Sequence, residues 1–118
     1  MNYKVLISDN LSTDILSSFK NEGIDVVLRP DMGKDKLLLS KEIHKYDGIA
    51  IRSDTILSAE LLNKAIKLKV IGRAGIGVDN IDLAAASRKG IVVMNTPFGN
   101  AITTAEHTIA MIFAAARK

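Results

Sequence analysis

Short apolar runs, rich in β-branched residues, alternate along the chain with segments whose apolar residues recur at helical spacing. The apolar runs predict strands at residues 4–8, 25–28, 47–51, 69–72 and 91–94. Most of these runs are apolar at nearly every position, which is typical of parallel strands covered on both faces. The alternation therefore predicts an α/β fold, a five-stranded parallel doubly wound sheet of the flavodoxin type with helices on both faces.

The segments between the strands carry start and stop signals for helices. These signals are Ser12 and Gly23 for the first helix, apolar spacing over residues 34–46 for the second, Ser58 for the third, and Asp79 or Asn80 followed by Gly90 for the fourth. Asp79 and Asp82 are both expected to cap the start of this fourth helix. Each predicted helix thus lies between two predicted strands, as a parallel sheet requires.

The end of the chain breaks this alternation. Residues 95–100 contain proline and Gly-Asn and predict a loop, and Thr103 with Glu106 then has the spacing of a capping box. The helix that follows is apolar almost all round, so we expect it to be buried, yet no later segment could bury it. We therefore expect residues 1–98 to form one domain, and residues 99–118 to be the hinge and first helix of a second, truncated domain.

The composition narrows the class of protein. The 118 residues are 47% hydrophobic and 25% charged, a balance typical of soluble domains. Without cysteine there are no disulfides or thiolate metal sites, and no other metal-ligand spacing is visible. No stretch approaches the ~20 apolar residues of a membrane helix. The net charge of +3 comes from lysines scattered among acids, so we expect a cytoplasmic protein without metal, membrane or nucleic-acid partners.

Three predicted loops follow strands and carry groups that can bind anions. Arg52 and Ser53 follow the third strand, the glycine turn at residues 75–77 follows the fourth, and residues 95–100 follow the fifth. The carboxyl ends of parallel strands meet at one edge of the sheet, where ligands of open α/β sheets bind. A guanidinium group, a hydroxyl and free backbone N–H groups together favour a carboxylate or phosphate ligand.

The glycine turn begins like a dinucleotide-binding fingerprint but does not complete it. Asn80 stands where a third glycine is needed, and no acidic residue closes a second strand about 20 residues later. Two interpretations remain for this segment: a tight turn that needs glycine for its backbone conformation, or a backbone site that binds an anion. His44 and His107 are expected to have solvent or packing roles, and no catalytic residue is predicted.

Five short sequence motifs, taken together, indicate a known protein family. They are VIGRAGIGVDNID at residues 70–82, KGIVVMNTP at 89–97, AEHT at 105–108, KVLISD at 4–9 and IRS at 51–53. Over essentially the whole chain, the sequence resembles the D-isomer-specific 2-hydroxyacid dehydrogenases, and in particular their members that oxidise 3-phosphoglycerate in serine biosynthesis. These enzymes transfer a hydride from a D-2-hydroxyacid to NAD and consist of a substrate domain and a separate Rossmann domain.

The resemblance implies roles for particular residues. Arg52, Ser53 and Asn100 would contact the anionic groups of the substrate, and backbone N–H groups at Ile76 and Gly77 would bind its carboxylate. Ile76 and Thr104 would lie near the nicotinamide of NAD. The catalytic arginine, glutamate and histidine of the family follow its dinucleotide fingerprint, which this chain does not contain, so the chain alone is expected to be inactive.

Two alternatives share the predicted fold. A receiver-like signalling domain would need an acidic pair after the first strand, where only Asp9 is present, although Asp54 falls near the end of the third. A stand-alone anion-binding module would use the same loops without chemistry. Whatever the function, the apolar helix over residues 104–117 has more apolar surface than one side can bury, so the chain is expected to form a homo-oligomer, most simply a two-fold dimer.

Overall fold

The computed structural model describes residues 2–117 and contains a sheet of five parallel strands in the order β2-β1-β3-β4-β5. The strands are β1 (Lys4–Ile7), β2 (Asp25–Leu28), β3 (Gly48–Ile51), β4 (Val70–Arg73) and β5 (Val92–Asn95). Every predicted strand is present, with ends displaced by one residue at most. The order is that of the flavodoxin type, so the predicted fold class is confirmed.

Helices connect the strands and follow the last one. They are α1 (Asp14–Asn21), α2 (Asp31–Lys34), α3 (Lys36–Glu42) with a 3-10 turn at Ile43–Lys45, α4 (Ala59–Lys64), α5 (Leu83–Arg88) and α6 (Ala101–Arg117). The helix predicted over residues 34–46 is therefore interrupted. Asp35 is extended, with φ −112° and ψ 91°, and its side chain accepts a hydrogen bond from the Leu38 N–H at the start of α3.

Two predicted helix starts between strands are wrong. Ser12 does not cap α1: the N-cap is Thr13, and Ser12 Oγ only accepts a long 3.4 Å hydrogen bond from the Asp14 N–H. The helix predicted to start at Asp79 or Asn80 begins later. Of its two expected caps, Asp82 is confirmed, since its Oδ1 accepts a bond from the Ala85 N–H at 2.9 Å, and Asp79 is not the cap. The predicted cap Ser58 and the predicted stops Gly23 and Gly90, both at φ 70°, are confirmed.

The capping box predicted at Thr103 is also wrong. Helix α6 already begins at Ala101, and the carbonyl of Asn100 accepts a hydrogen bond from the Thr104 N–H at 2.9 Å. Thr103 therefore lies inside the first turn rather than before it. The tight turn closed by the Gly99 N–H on the Thr96 carbonyl brings the chain into helical geometry earlier than the side-chain pattern indicated.

The two faces of the sheet are covered unequally. One face, which we call the core face, presents Leu6, Ile49 and Ile71, all almost completely buried under α3, α4 and α5. Right-handed crossovers place the connections from β2 through β5 on this face and only α1 on the other. On that second face Val92 and Met94 remain 58% and 55% exposed. The prediction of helices on both faces therefore holds for only part of the second face.

Every residue of helix α6 is exposed, whereas each of the other helices has residues that are at least partly buried. None of its residues is buried, and its exposed apolar side chains are Ile102, Ile109, Met111, Ile112 and Phe113. Its expected burial is therefore not met by contacts within residues 2–117. Across the same residues, no helix combines the length and the apolar character needed to cross a membrane.

Candidate functional site

The three candidate loops meet at the carboxyl edge of the sheet, as predicted. The register aligns Ile51 with Arg73 and Arg73 with Asn95, so the loops leave neighbouring strands at the same level. The Ala74 N–H donates to the Ile51 carbonyl at 2.9 Å, which joins the first loop to the second. The Thr96 N–H donates to the Gly75 carbonyl at 3.0 Å, which joins the second to the third.

These loops line a cavity of about 310 Å³ that is open to solvent. Its lining consists of Arg52, Ser53, Arg73, Ala74, Gly75, Ile76, Gly77 and Asn100. A second hollow beside it shares Arg52, Gly75 and Asn100 and extends towards Leu11 and Ser12. All five residues that were expected to bind substrate, Arg52, Ser53, Ile76, Gly77 and Asn100, therefore line one cavity.

The candidate cofactor residues are separated. Ile76 is 45% exposed at the cavity, whereas Thr104 lies in the exposed helix α6 and is not among the residues of the described chain that line it. The Thr104 carbonyl accepts a hydrogen bond from the Thr108 hydroxyl at 2.8 Å. The geometry thus brings the substrate candidates together and leaves Thr104 outside the group.

Arg73 is a second cavity arginine that sequence reasoning missed. Its Nε is buried and has no hydrogen-bond partner within residues 2–117. Its guanidinium lies so close to the glycine turn that a Cβ on Gly75 would be 2.5 Å from Arg73 Nη1. Gly75 has φ 158°, which itself favours glycine, and a Cβ there would also displace the Arg73 guanidinium. The available signal was an arginine at the last position of a buried strand, at the same edge as Arg52.

The cavity has a positive electrostatic character. Its lining contains two arginines and no acidic residue, and neither arginine takes part in an ion pair within the described chain. Arg52 Nη1 donates to the Asn10 carbonyl at 3.2 Å, a neutral acceptor. Guanidinium groups bind carboxylates and phosphates in a planar, two-bonded geometry, so the site is suited to a small anion.

The local contacts do not favour a receiver-like site. The Asp54 carboxylate lies 4.0 Å from Lys34 Nζ, and Asp9 is buried, with its two carboxylate oxygens hydrogen-bonded to the loop after β3. Over residues 2–117, no three His, Cys, Asp or Glu side chains are grouped in a way that could hold a metal ion. His44 and His107 are both exposed and lie away from the cavity lining.

Residues 5–116 match the family model described as "D-isomer specific 2-hydroxyacid dehydrogenase, catalytic domain". Among curated proteins, the chain is similar to a D-3-phosphoglycerate dehydrogenase of Archaeoglobus fulgidus, with 46% identity over 115 residues. That match covers 98% of this chain and 21% of the relative. The chain therefore spans about a fifth of the length of the curated relatives it matches.

Solved structures show the same fold. The TT0316 protein of Thermus thermophilus superposes with a TM-score of 0.84 at 31% identity, covering 97% of this chain and 37% of that one. A 3-phosphoglycerate dehydrogenase of Entamoeba histolytica, solved with NAD+ bound, superposes with a TM-score of 0.80 at 30% identity. The second match covers 95% of this chain and 38% of the other.

Proposed function

The chain belongs to the D-isomer specific 2-hydroxyacid dehydrogenase family, and on that premise we propose that it is the substrate-binding part of an NAD-dependent oxidoreductase. The proposed substrate is D-3-phosphoglycerate, which the whole enzyme oxidises to 3-phosphohydroxypyruvate in serine biosynthesis. The observation that carries this proposal is the cavity with Arg52 and Arg73, which has no acidic residue in its lining. A substrate with both a carboxylate and a phosphate supplies the two anionic groups that such a cavity favours.

Each binding residue has a distinct role in this proposal. Arg52 and Arg73 bind the anionic groups, and Ser53 and Asn100 add neutral hydrogen bonds. The exposed backbone at Ile76 and Gly77 offers N–H groups to a carboxylate. These groups orient the substrate, and orientation lowers the barrier to reaction by removing motional freedom before the chemical step.

The cofactor is expected to meet the chain at the mouth of this cavity. NAD supplies the hydride acceptor when it is bound to the whole enzyme. Ile76, which is 45% exposed, can pack against an apolar ring, whereas the glycine turn lacks the third glycine of a dinucleotide cradle. We therefore assign residues 1–98 to substrate binding, and residues 99–118 to the hinge and first helix of the NAD-binding domain, with Thr104 near the nicotinamide.

The proposal includes a division of labour between this chain and the rest of the enzyme. The residues assigned above bind and orient, and no acid, base or nucleophile is assigned within the chain, so the chain alone is expected not to turn over substrate. The apolar side chains of α6 are expected to pack in the NAD-binding domain. In the isolated chain they are expected to mediate homo-oligomerisation. A cytoplasmic location stays a prediction.

A hybrid enzyme tests the proposed function. This chain would replace the matching 115 residues of the Archaeoglobus fulgidus relative, and NADH formation from D-3-phosphoglycerate would be followed by absorbance. We expect turnover, with a KM that rises about ten- to hundredfold when Arg52 is replaced by alanine, because a hydrogen bond to a charged group is worth ~1.5–3 kcal/mol. The Arg29→Ala hybrid, which loses only an exposed ion pair, is the matched control.

The outcomes of this assay separate the parts of the proposal. A folded hybrid that binds NAD but oxidises no D-2-hydroxyacid would contradict the dehydrogenase function and leave a binding module as the better account. Oxidation of unphosphorylated D-2-hydroxyacids alone would refute the substrate while keeping the reaction class.

A further inference from the structure

The loop that carries Arg52 and Ser53 is bonded to a buried carboxylate. Asp9 lies two residues after β1 and is only 2% exposed. Its Oδ2 accepts hydrogen bonds from the N–H groups of Arg52 at 2.5 Å and Thr55 at 3.2 Å. Its Oδ1 accepts a third from the Thr55 hydroxyl at 2.9 Å. Because burying a charge is costly unless it is hydrogen-bonded, the carboxylate and the loop depend on each other.

A side-chain amide binds the carbonyl groups of the same two loop residues. Asn80 Nδ2 donates to the Arg52 carbonyl and to the Thr55 carbonyl, both at 2.7 Å. Since both acceptors are carbonyl oxygens, the atom that faces them must be the amide nitrogen. Asn80 lies three residues after Gly77, so it also ties the loop to the glycine turn.

The surroundings of Asp9 leave it little freedom. The Ser8 and Thr55 hydroxyls are hydrogen-bonded at 2.8 Å beside it, and Ser8 is the donor because the Thr55 hydroxyl gives its single proton to Asp9. Gly33 of α2 packs directly against Asp9, and a Cβ at that glycine would overlap Asp9 Oδ1 and the Ser8 carbonyl oxygen. The carboxylate is thus held between α2 and the loop.

We propose that Asp9 and Asn80 are positioning residues that clamp residues 52–55 and hold Arg52 and Ser53 ready for an anionic ligand. The inference rests on the proposed function, since it assigns a purpose to the fixed loop. The backbone N–H and C=O groups of Arg52 are both bonded to the clamp, and its guanidinium is bonded to the carbonyl of Asn10, the neighbour of Asp9. A preordered loop loses less freedom when ligand binds, so the clamp raises affinity without touching the ligand.

Two substitutions at Asp9 separate positioning from mere burial. Asp9→Ala removes all three hydrogen bonds, and we expect the Kd for D-3-phosphoglycerate to rise about three- to tenfold, the equivalent of ordering one or two side chains. Asp9→Asn can keep one oxygen on the two N–H groups while its amide donates to the Thr55 hydroxyl, which then donates to Ser8. We therefore expect Asp9→Asn to restore most of the affinity.

Further variants make the test independent of any one fold-disrupting change. Asn80→Asp has the same shape but cannot donate, so it should weaken binding at least as much as Asp9→Ala. Gly33→Ala should also weaken binding, because the added methyl group would displace Asp9 and so disturb the Arg52 loop without touching it. Asp35→Ala is the control: it removes an exposed carboxylate that caps α3 through the Leu38 N–H at 3.1 Å, and it should cost stability but not affinity.

The measurements are a chemical-shift titration of the ¹⁵N-labelled chain with D-3-phosphoglycerate, urea unfolding, and hydrogen exchange at the Arg52 and Thr55 amides. Faster exchange and weaker binding in Asp9→Ala, with recovery of both in Asp9→Asn, support the clamp. If Asp9→Ala and Asp35→Ala lose stability alike and neither changes the Kd, or if Asp9→Asn binds as weakly as Asp9→Ala, positioning is refuted. A wild-type chain that binds nothing would contradict the proposed function instead. In that case the clamp is still tested by hydrogen exchange. It is refuted if the Arg52 and Thr55 amides exchange at the same rate in Asp9→Ala as in the wild-type chain.

Discussion

The sheet with its core-face helices and the helix α6 contain similar apolar residues in opposite environments. Ile71 of β4 is completely buried among neighbours from α4 and α5, whereas Ile112 of α6 is 62% exposed. The first region is stabilised by contacts between residues distant in sequence, and the second by hydrogen bonds along its own backbone. The difference shows that an apolar pattern predicts a secondary structure and a need for burial, but not where the burial takes place.

The functional groups follow the same division. Arg52 follows strand β3, Arg73 ends strand β4, and the Ala74 N–H joins the two strand ends by donating to the Ile51 carbonyl. Thr104 belongs to a helix with no buried residue. Groups on a rigid scaffold can be held in the geometry that binding requires, so the cavity is a property of the sheet region, whereas the role of Thr104 depends on what α6 packs against.

The largest difference expected between the two regions is in the free energy of unfolding. Ile71→Ala should lower the free energy of unfolding by about 2–5 kcal/mol, because it leaves a cavity in the core. Ile112→Ala, the same substitution in α6, should change it by less than ~0.5 kcal/mol, as exposed changes usually do. Urea unfolding of the two variants measures both values, and equal losses would show that α6 is packed after all.

The next effect concerns the anion site. Arg73→Ala should weaken binding of D-3-phosphoglycerate to the chain about ten- to hundredfold, since a hydrogen bond to a charged group contributes ~1.5–3 kcal/mol. Arg29→Ala, which breaks an exposed ion pair with Asp31, is the control and should leave the affinity unchanged. Titration calorimetry gives both constants. An Arg73 variant with wild-type affinity would make this arginine structural and remove it from the site.

The smallest effect concerns self-association. If α6 mediates homo-oligomers of the chain, Ile112→Lys should weaken association about tenfold, because one apolar side chain contributes ~1.5–3 kcal/mol on burial and part of that is offset by ordering. Ile66→Lys is the matched control, since Ile66 is 75% exposed and lies outside α6. Sedimentation at several concentrations decides the matter. A clean monomer with α6 folded would refute association through this helix.

The strands and their order were predictable because hydrophobic periodicity reports burial on both faces, and parallel connections restrict the topology. Several helix starts were not predictable, because a capping residue competes with its neighbours. Asn80 has a cap-like side chain but bonds the loop at Arg52 and Thr55, and Asp82 caps α5 instead. Such competition depends on contacts between distant residues, which a local pattern does not contain.

The candidate site was also predictable only in part. Arg52 and the glycine turn were identified because each follows a predicted strand, and the edge of a parallel sheet brings such positions together. Arg73 was missed because the predicted strand ended at residue 72 and the candidate turn began at residue 75, whereas β4 extends to Arg73. Asp9 was missed because its burial and its hydrogen bonds to Arg52 and Thr55 depend on residues more than 40 positions away.

A chemical-shift titration of the ¹⁵N-labelled chain tests the central claim, that the carboxyl-edge cavity binds an anionic D-2-hydroxyacid, most directly. D-3-phosphoglycerate should produce saturable shifts that are largest at the amides of Ser53, Ile76 and Gly77 and absent from the exposed part of α6. Glycerol at the same concentration, and sodium chloride at matched ionic strength, should not reproduce them. Shifts that fail to saturate, that appear equally with sodium chloride, or that concentrate away from these three amides would contradict the account.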